Sequence, residues 1–176
     1  MMGTFAAALA FANGAQATVA RAVSLPDLVR RSTRIARATA LDSFARSEDI
    51  GGARHIVTYS RMRIDDPIHG PSGDSETLVR TLGGRVGDVG EIVHGEAELT
   101  LNQAGIVFLI ADANGVEQVT AMAQGHYPLA IDAAGVPRLQ LNRNMPHLLG
   151  SATSAVAQLA GKSFIDARSM ILGARR

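Results

Sequence analysis

The first pattern in this sequence is an alternation of hydrophobic and polar residues, which is typical of strands with one buried face. The alternation begins at Ile35 and continues for about ten residues. It returns over residues 54–65 and again over residues 76–82, with polar turns between the segments. In residues 54–65 both faces change character partway along, which suits a long strand that bends within a barrel.

The later part of the chain adds shorter strands joined by tight turns. Alternation over residues 96–101 predicts a half-buried antiparallel strand whose polar face carries Glu96. Residues 106–110 contain no polar position and predict a central strand, and Asn114-Gly115 after them is a strong hairpin signal. Return strands are predicted at residues 116–123, 126–131 and 138–141.

Helical patterns occur only at the two ends of this strand-rich region. Ser24 is a suitable N-cap and Pro26 is tolerated in a first turn, so a short helix is predicted to begin there. The composition changes after Asn144, and residues 151–173 predict a helical hairpin whose second helix begins at Ser163. We expect this hairpin to cover the mouth of a barrel or to pack on a sheet edge.

These elements predict a mainly β fold. About seven short strands with close turns indicate an antiparallel OB-like barrel or sandwich, with a short N-terminal helix and a C-terminal helical hairpin. The predicted division is a signal peptide at residues 1–17, a β-barrel domain at residues 18–144 and a helical C-terminal cap at residues 145–176. With 176 residues, the chain is long enough to bury a core of its own.

The N-terminal segment has the form of a secretory signal. An apolar run from Phe5 to Ala12 precedes Ala15-Gln16-Ala17, the small-x-small form that signal peptidase accepts. A basic start is missing, and the alternative is an N-terminal core helix that Asn13-Gly14 would interrupt. The run is far shorter than the ~20 residues that span a bilayer. We therefore expect an extracytoplasmic protein, periplasmic or secreted, without a transmembrane anchor.

Composition narrows the classes of partner. The chain has no Trp, two Tyr and five Phe, and its formal charge is +1. Aromatic platforms and a concentrated basic face for nucleic acid are therefore lacking, and we expect no nucleic-acid partner. Cysteine is absent, which excludes disulfides, thiolate nucleophiles and zinc–thiolate sites. No cofactor is predicted.

A glycine-rich segment at residues 83–95 is the predicted binding loop. It follows a strand, as phosphate-binding loops do, but its G-x-x-G-x-x-G spacing matches neither nucleotide fingerprint and no helix pattern follows it. A long loop on a rigid barrel can instead present a binding surface. The alternative is an edge segment with purely structural glycines. The candidate binding residues are Gly83, Gly84, Arg85, Gly87, Asp88, Gly90 and His94.

Candidate chemistry outside this loop is sparse. His94 and Glu96 would project to the same side of a strand, and His126 could complete a metal site with them. The alternative for each histidine is a solvated or hydrogen-bonded side chain. A G-x-S-x-G elbow for a serine nucleophile is absent. The sequence therefore predicts no catalytic residue and no resident metal, with His94, Glu96 and His126 as the metal candidates.

Five segments carry a resemblance to known proteins: LPDLVRRS, GGRVGDVG, HGEAELT, IVFLI and AQGHYPL. Over residues 25–142 they resemble an uncharacterised family of exported bacterial β-barrel proteins. The pattern is also similar to the OB-like barrel of the netrin and tissue-inhibitor-of-metalloproteinase modules. These resemblances imply a barrel and an extracytoplasmic location. The inhibitory chemistry of those modules depends on an N-terminal cysteine, which this chain lacks.

Three functions from different classes fit these patterns. The first is a non-enzymatic exported domain that binds an envelope or secreted protein through a rim containing residues 83–95. The second is a small extracytoplasmic hydrolase, and the third is an envelope structural or assembly protein. An exposed apolar patch would favour the first, and a cleft holding a carboxylate or histidine of strongly perturbed pKa would favour the second. A helical tail packed on a second copy would favour the third.

Overall fold

The structure is a computed structural model that describes residues 19–175. The predicted signal peptide at residues 1–17 lies outside the described residues. The strands are β1 (Val19–Arg21), β2 (Arg34–Ile50), β3 (Ala53–His69), β4 (Glu76–Leu82), β5 (Gly84–Val86), β6 (Val89–Glu91), β7 (Ala104–Ala111), β8 (Glu117–Val119), β9 (His126–Ile131), β10 (Pro137–Leu139) and β11 (His147–Leu149). The helices are α1 (Leu25–Arg31), α2 (Ala155–Leu159) and α3 (Phe164–Gly173), with short 3₁₀ turns at Met122–Gly125 and Ser151–Thr153. The fold is mainly β, as the sequence predicts.

The helices begin at the predicted capping residues. The Ser24 hydroxyl accepts the amide of Asp27 at 3.2 Å, and Pro26 occupies the first turn of α1. The Ser163 hydroxyl likewise accepts the amide of Asp166 at 3.2 Å and begins α3. Both helix starts are therefore confirmed. Among residues 19–175, no helix is long and apolar enough to cross a membrane.

Strands β2 and β3 form a hairpin that is longer than its sequence pattern predicts. Each strand has 17 residues. The register between them shifts at three places in the first half of β2, and such bulges allow a long strand to bend. Pro67 lies inside β3, beyond the predicted residues 54–65, and pairs with Ala36 beside one of these shifts. A proline without an amide hydrogen is tolerated at an irregular position of this kind.

Strand pairing links β2, β3, β4, β8 and β7 into a closed cycle, called here the five-strand ring. The main sheet has the order β10-β9-β7-β2-β3-β4-β8, and β8 also pairs with β7. Most pairings are antiparallel, whereas β4 pairs with β8 in parallel. Outside the main sheet, β1 and β11 form a parallel pair and β5 and β6 form a small hairpin.

Two apolar cores lie on opposite sides of the central strand β7. The first core takes buried side chains from all five strands of the ring: Ala38, Ala40, Met62, Val79, Val107, Leu109 and Val119, together with Ala97. The second core lies between the sheet and the three helices, and includes Leu28, Ile35, Phe108, Tyr127, Leu159 and Ile171. Because β7 is buried on both faces, its sequence carries no polar position.

The strand predicted over residues 96–101 is wrong. Only Leu101 forms a bridge there, to Ala40, and the rest of the segment has no strand pairing. Ala97 packs into the ring core, but Glu96 is also buried, although alternation placed it on a solvent face. An extended connection can show strand-like alternation without a partner strand, and that alternation misled the prediction.

Candidate functional site

The glycine-rich segment forms the β5–β6 hairpin. Gly84 pairs with Glu91, and Val86 pairs with Val89 across the turn. The hairpin contains the predicted binding residues from Gly84 to Gly90, whereas Gly83 precedes it and His94 follows it. Among them Gly84, Arg85, Gly87, Asp88, Gly90 and His94 are exposed, whereas Gly83 is buried at the base.

Gly84 holds this hairpin close to the end of the β2–β3 hairpin. A Cβ atom at this position would lie 2.4 Å from the Thr58 hydroxyl oxygen and 3.3 Å from the Ala45 Cβ. Its φ of +134° is also a conformation that favours glycine. This glycine therefore has a structural reason, close approach of two chain segments, beside its predicted place in a binding loop.

Glu91 fixes the second strand of the hairpin to β3. One carboxylate oxygen accepts the Ile56 amide at 2.6 Å, and the other lies 2.8 Å from Nδ1 of His55. These contacts with His55 and with the Ile56 amide lower the pKa of Glu91. The hairpin is therefore held at both strands, and its tip projects from a fixed base.

Three large apolar side chains on and after this hairpin face solvent, and we call them the rim: Val86, Val89 and Ile92. Their side chains are 38, 66 and 83% exposed. Beside the first two lies a cleft of about 560 Å³ whose lining includes Arg54, His55 and Ile56. Exposed apolar residues in such a cluster mark a contact surface more often than isolated ones do.

A second cavity lies at the end of the five-strand ring, and we call it the mouth cavity. It has a volume of about 260 Å³. The interior face of β3 changes from Met62 to Ser60 and Thr58, and paired positions on β2 and β4 carry Ser43 and Thr81. All four hydroxyl residues line the cavity. The apolar interior therefore ends in a polar mouth, which explains the change of character along this strand.

Glu96 is the charged residue most deeply placed in the mouth cavity, with 9% of its surface exposed. Its carboxylate accepts the amide of Ala97 at 2.9 Å and the amide of Leu82 at 3.3 Å. Burial raises the pKa of Glu96, and the two amide hydrogen bonds act in the opposite direction. It also lines a neighbouring cavity of about 150 Å³. The alternation of apolar and polar residues did not predict that Glu96 is buried in the mouth cavity.

The metal candidates differ in their surroundings. His126 is 3% exposed, and its Nδ1 lies 2.7 Å from Nδ2 of Asn142. Burial lowers the pKa of His126 to about 4. His94 is exposed, and Glu96 bonds to backbone amides. In the described part of the chain, no three His, Asp or Glu side chains are grouped so that they could hold a metal ion.

No protein-family model matches the sequence, and a search of curated proteins finds no match.

Proposed function

We propose that this protein is an exported, non-enzymatic binding domain in which an OB-like barrel presents the β5–β6 hairpin to an envelope or secreted protein. The five-strand ring supports the barrel, because a sheet whose pairings close on themselves has the connectivity of a barrel. The parallel β4–β8 pairing that closes the ring fits a partly antiparallel Greek-key barrel of the OB kind.

The observation that carries the proposed function is the rim. Val86, Val89 and Ile92 lie within seven consecutive residues and are exposed, the first two beside the cleft and Ile92 beside the mouth cavity. Water-exposed valine and isoleucine side chains contribute favourable free energy only when a partner covers them. The contacts of Gly84 and Glu91 hold the base of the hairpin, so the rim is presented without a large ordering cost.

Photocrosslinking from the rim tests this proposal. A photoreactive amino acid at Ile92, in the full chain incubated with envelope extract of its native bacterium, should give one adduct of defined mass. Val89→Asp in the same chain should reduce that adduct about tenfold, since burial of one apolar side chain contributes roughly 1.5–3 kcal/mol. Both positions are exposed, so the thermal midpoint should stay unchanged.

The matched control places the same photoreactive group at Ile165 of α3, which is 74% exposed. Equal adducts from Ile92 and Ile165, or an Ile92 adduct that Val89→Asp leaves unchanged, would contradict a specific rim. An adduct with twice the mass of the chain would favour the assembly protein instead. Intact mass of the periplasmic protein, with residues 1–17 removed, tests the export part separately.

One observation favours a second candidate, a small extracytoplasmic hydrolase. The mouth cavity holds Glu96, a buried carboxylate whose pKa burial raises, and such groups serve as general acids. Chromogenic 4-nitrophenyl esters and glycosides test this candidate. Turnover that Glu96→Gln abolishes and Glu76→Gln preserves would replace the binding proposal with the enzyme.

A further inference from the structure

We propose that the mouth cavity binds the ammonium group of a lysine side chain on the partner protein. This inference rests on the proposed binding function and deepens it, because it names the chemical group that the partner carries beside its contact with the rim. Within residues 19–175, its support consists of a buried carboxylate without a cation, a cavity-lining hydroxyl without a hydrogen bond to the protein, and a lining without positive charge.

The buried carboxylate belongs to Glu96. Within residues 19–175 it forms no ion pair, and its two hydrogen bonds come from the backbone amides of Leu82 and Ala97. An ionised carboxylate can accept about four hydrogen bonds, so acceptor capacity remains. Because a buried charge without a counter-ion is unfavourable, a cation that enters the cavity gains more from this carboxylate than from one in water.

The uncommitted hydroxyl belongs to Ser60. This residue is 2% exposed and lines the mouth cavity, and its hydroxyl makes no hydrogen bond within the described part of the chain. In the sheet it lies opposite Ser43 on β2 and Val79 on β4. The hydroxyl oxygen is accessible from the cavity, so a bound group can reach it. It therefore provides a second acceptor beside the carboxylate.

The charge of the lining favours a cation. Glu91, Glu96 and Glu98 line the cavity, and its lining contains no Lys, Arg or His. Glu91 lies beside His55 and Glu98 beside Arg143, both outside the lining, so Glu96 is the lining carboxylate that has no cationic neighbour among residues 19–175. The nearby Arg80 lines the adjoining smaller cavity and is bonded to Glu48 and Asp112. A cavity with one sign of charge attracts ligands of the opposite sign.

The size and the apolar part of the cavity fit a lysine side chain. A volume of about 260 Å³ accepts one side chain rather than a large ligand. Leu82, Val93 and Leu99 line it and can cover the methylene groups of a lysine. An ammonium group has three donors that rotate freely, which suits a carboxylate and a hydroxyl as mixed acceptors. The planar fork of arginine is better matched to parallel acceptor pairs.

NMR titration of the ¹⁵N-labelled protein tests the proposal. The probes are acetyl-Val-Lys-Val-amide, the same peptide with norleucine in place of lysine, and butylammonium chloride. The lysine peptide should shift the Leu82 and Ala97 amide resonances saturably, whereas the norleucine peptide should bind at least tenfold more weakly. This ratio follows from loss of a hydrogen bond between charged groups, worth about 1.5–3 kcal/mol.

Variants distinguish the contributions of the Glu96 carboxylate and the Ser60 hydroxyl to peptide affinity from a general effect of charge. Glu96→Gln should weaken lysine-peptide binding about tenfold or more, and Ser60→Ala should weaken it a few-fold, as expected for a charged and a neutral hydrogen bond. Glu76→Gln is the matched control, because this carboxylate is exposed on β4 and bonded to Arg61. It should leave affinity within about twofold of the wild type.

Equal binding of the lysine and norleucine peptides would overturn the proposal. The proposal would also be overturned if Ser60→Ala and a folded Glu96→Gln both bound the lysine peptide with wild-type affinity. If butylammonium binds as tightly as the lysine peptide, the cavity takes free amines, and the assignment to a partner's lysine is wrong. The effect of Val89→Asp on crosslinking reports on the rim separately, because Val89 lines the other cleft and not the mouth cavity. If Val89→Asp reduces the adduct from Ile92 while lysine binding fails, only this inference falls, and the proposed function stands.

Discussion

Gly125→Ala is expected to reduce the free energy of unfolding by about 3 kcal/mol, because it forces atoms into a closely packed backbone turn. A Cβ atom on Gly125 would lie 2.0 Å from the Thr120 carbonyl oxygen and 3.1 Å from Cγ1 of Val119. The turn cannot widen freely, since Ala121 and Met122 already adopt left-handed conformations with φ near +58° and +57°. The chain would have to move β8 or β9, and both pair with β7.

Urea denaturation monitored by circular dichroism measures this loss as a fall in the transition midpoint. Gly73→Ala is the matched control, because nothing lies within 4 Å of its added Cβ and its backbone is not left-handed. We expect the control to change the free energy of unfolding by less than about 0.5 kcal/mol. Equal midpoints for the two variants would show that the 120–125 turn relaxes without cost.

The parts of the fold that local rules determine were predictable. The limits of β4 agree with the alternation in its sequence, and β9 has the limits of the predicted return strand. Helices α1 and α3 begin at Ser24 and Ser163, whose hydroxyls accept amides of their own first turns. Strand period and helix capping each depend on residues within one segment. Both signals are therefore complete before the rest of the chain is considered.

The parts that depend on distant partners were not predictable. The hairpin of β2 and β3 is longer than its pattern because bulges let the alternation change phase, as between Ala40 and Asp42. The return strand after the Asn114-Gly115 turn is only Glu117–Val119, since the left-handed residues 121 and 122 end its pairing. The hydrophobic pattern predicts neither the bulges in the β2–β3 hairpin nor the early end of β8.

The candidate site also has one part that the sequence predicted and one part that it did not. The glycine-rich sequence indicated a loop, and Val86 and Val89 in it form the exposed rim. The mouth cavity was missed, because Ser60 lies on β3 and Glu96 follows β6, and only the closed pairing of the ring brings them to one cavity. The change from apolar to hydroxyl side chains along β3 did indicate that one end of the ring is polar. The sequence alone could not show which other residues lie at that end.

His126 is expected to make the folded state sensitive to acid. Its ring is buried, its Nδ1 accepts a hydrogen bond from Asn142 Nδ2, and a Cβ at Gly105 would lie 2.8 Å from its Nε2. Burial lowers the pKa of His126 to about 4, although a hydrogen bond to the backbone of Glu98 acts in the opposite direction. Close packing leaves no room for water to solvate an imidazolium at this position.

The sign of the effect follows from proton binding. An unfolded histidine has a pKa of about 6.5, so between pH 6.5 and 4 the unfolded state binds more protons than the folded state. The stabilising contribution of neutral His126 is therefore complete above pH 6.5 and is lost as pH falls toward 4. The size of this loss is roughly 3 kcal/mol. Glu96 acts in the opposite direction, because its raised pKa favours proton uptake by the folded state.

Urea denaturation of the wild type, His126→Gln and His147→Gln between pH 7 and 4 isolates the contribution of His126. The wild type and His147→Gln, whose side chain is exposed, should lose stability in parallel. His126→Gln should lose roughly 3 kcal/mol less over the same range, whatever its stability at pH 7, because its buried side chain cannot take up a proton. Parallel curves for all three proteins would place the acid sensitivity elsewhere. The comparison works because the wild type and His126→Gln share Glu96 and every titrating group except His126, so the other contributions cancel in their difference.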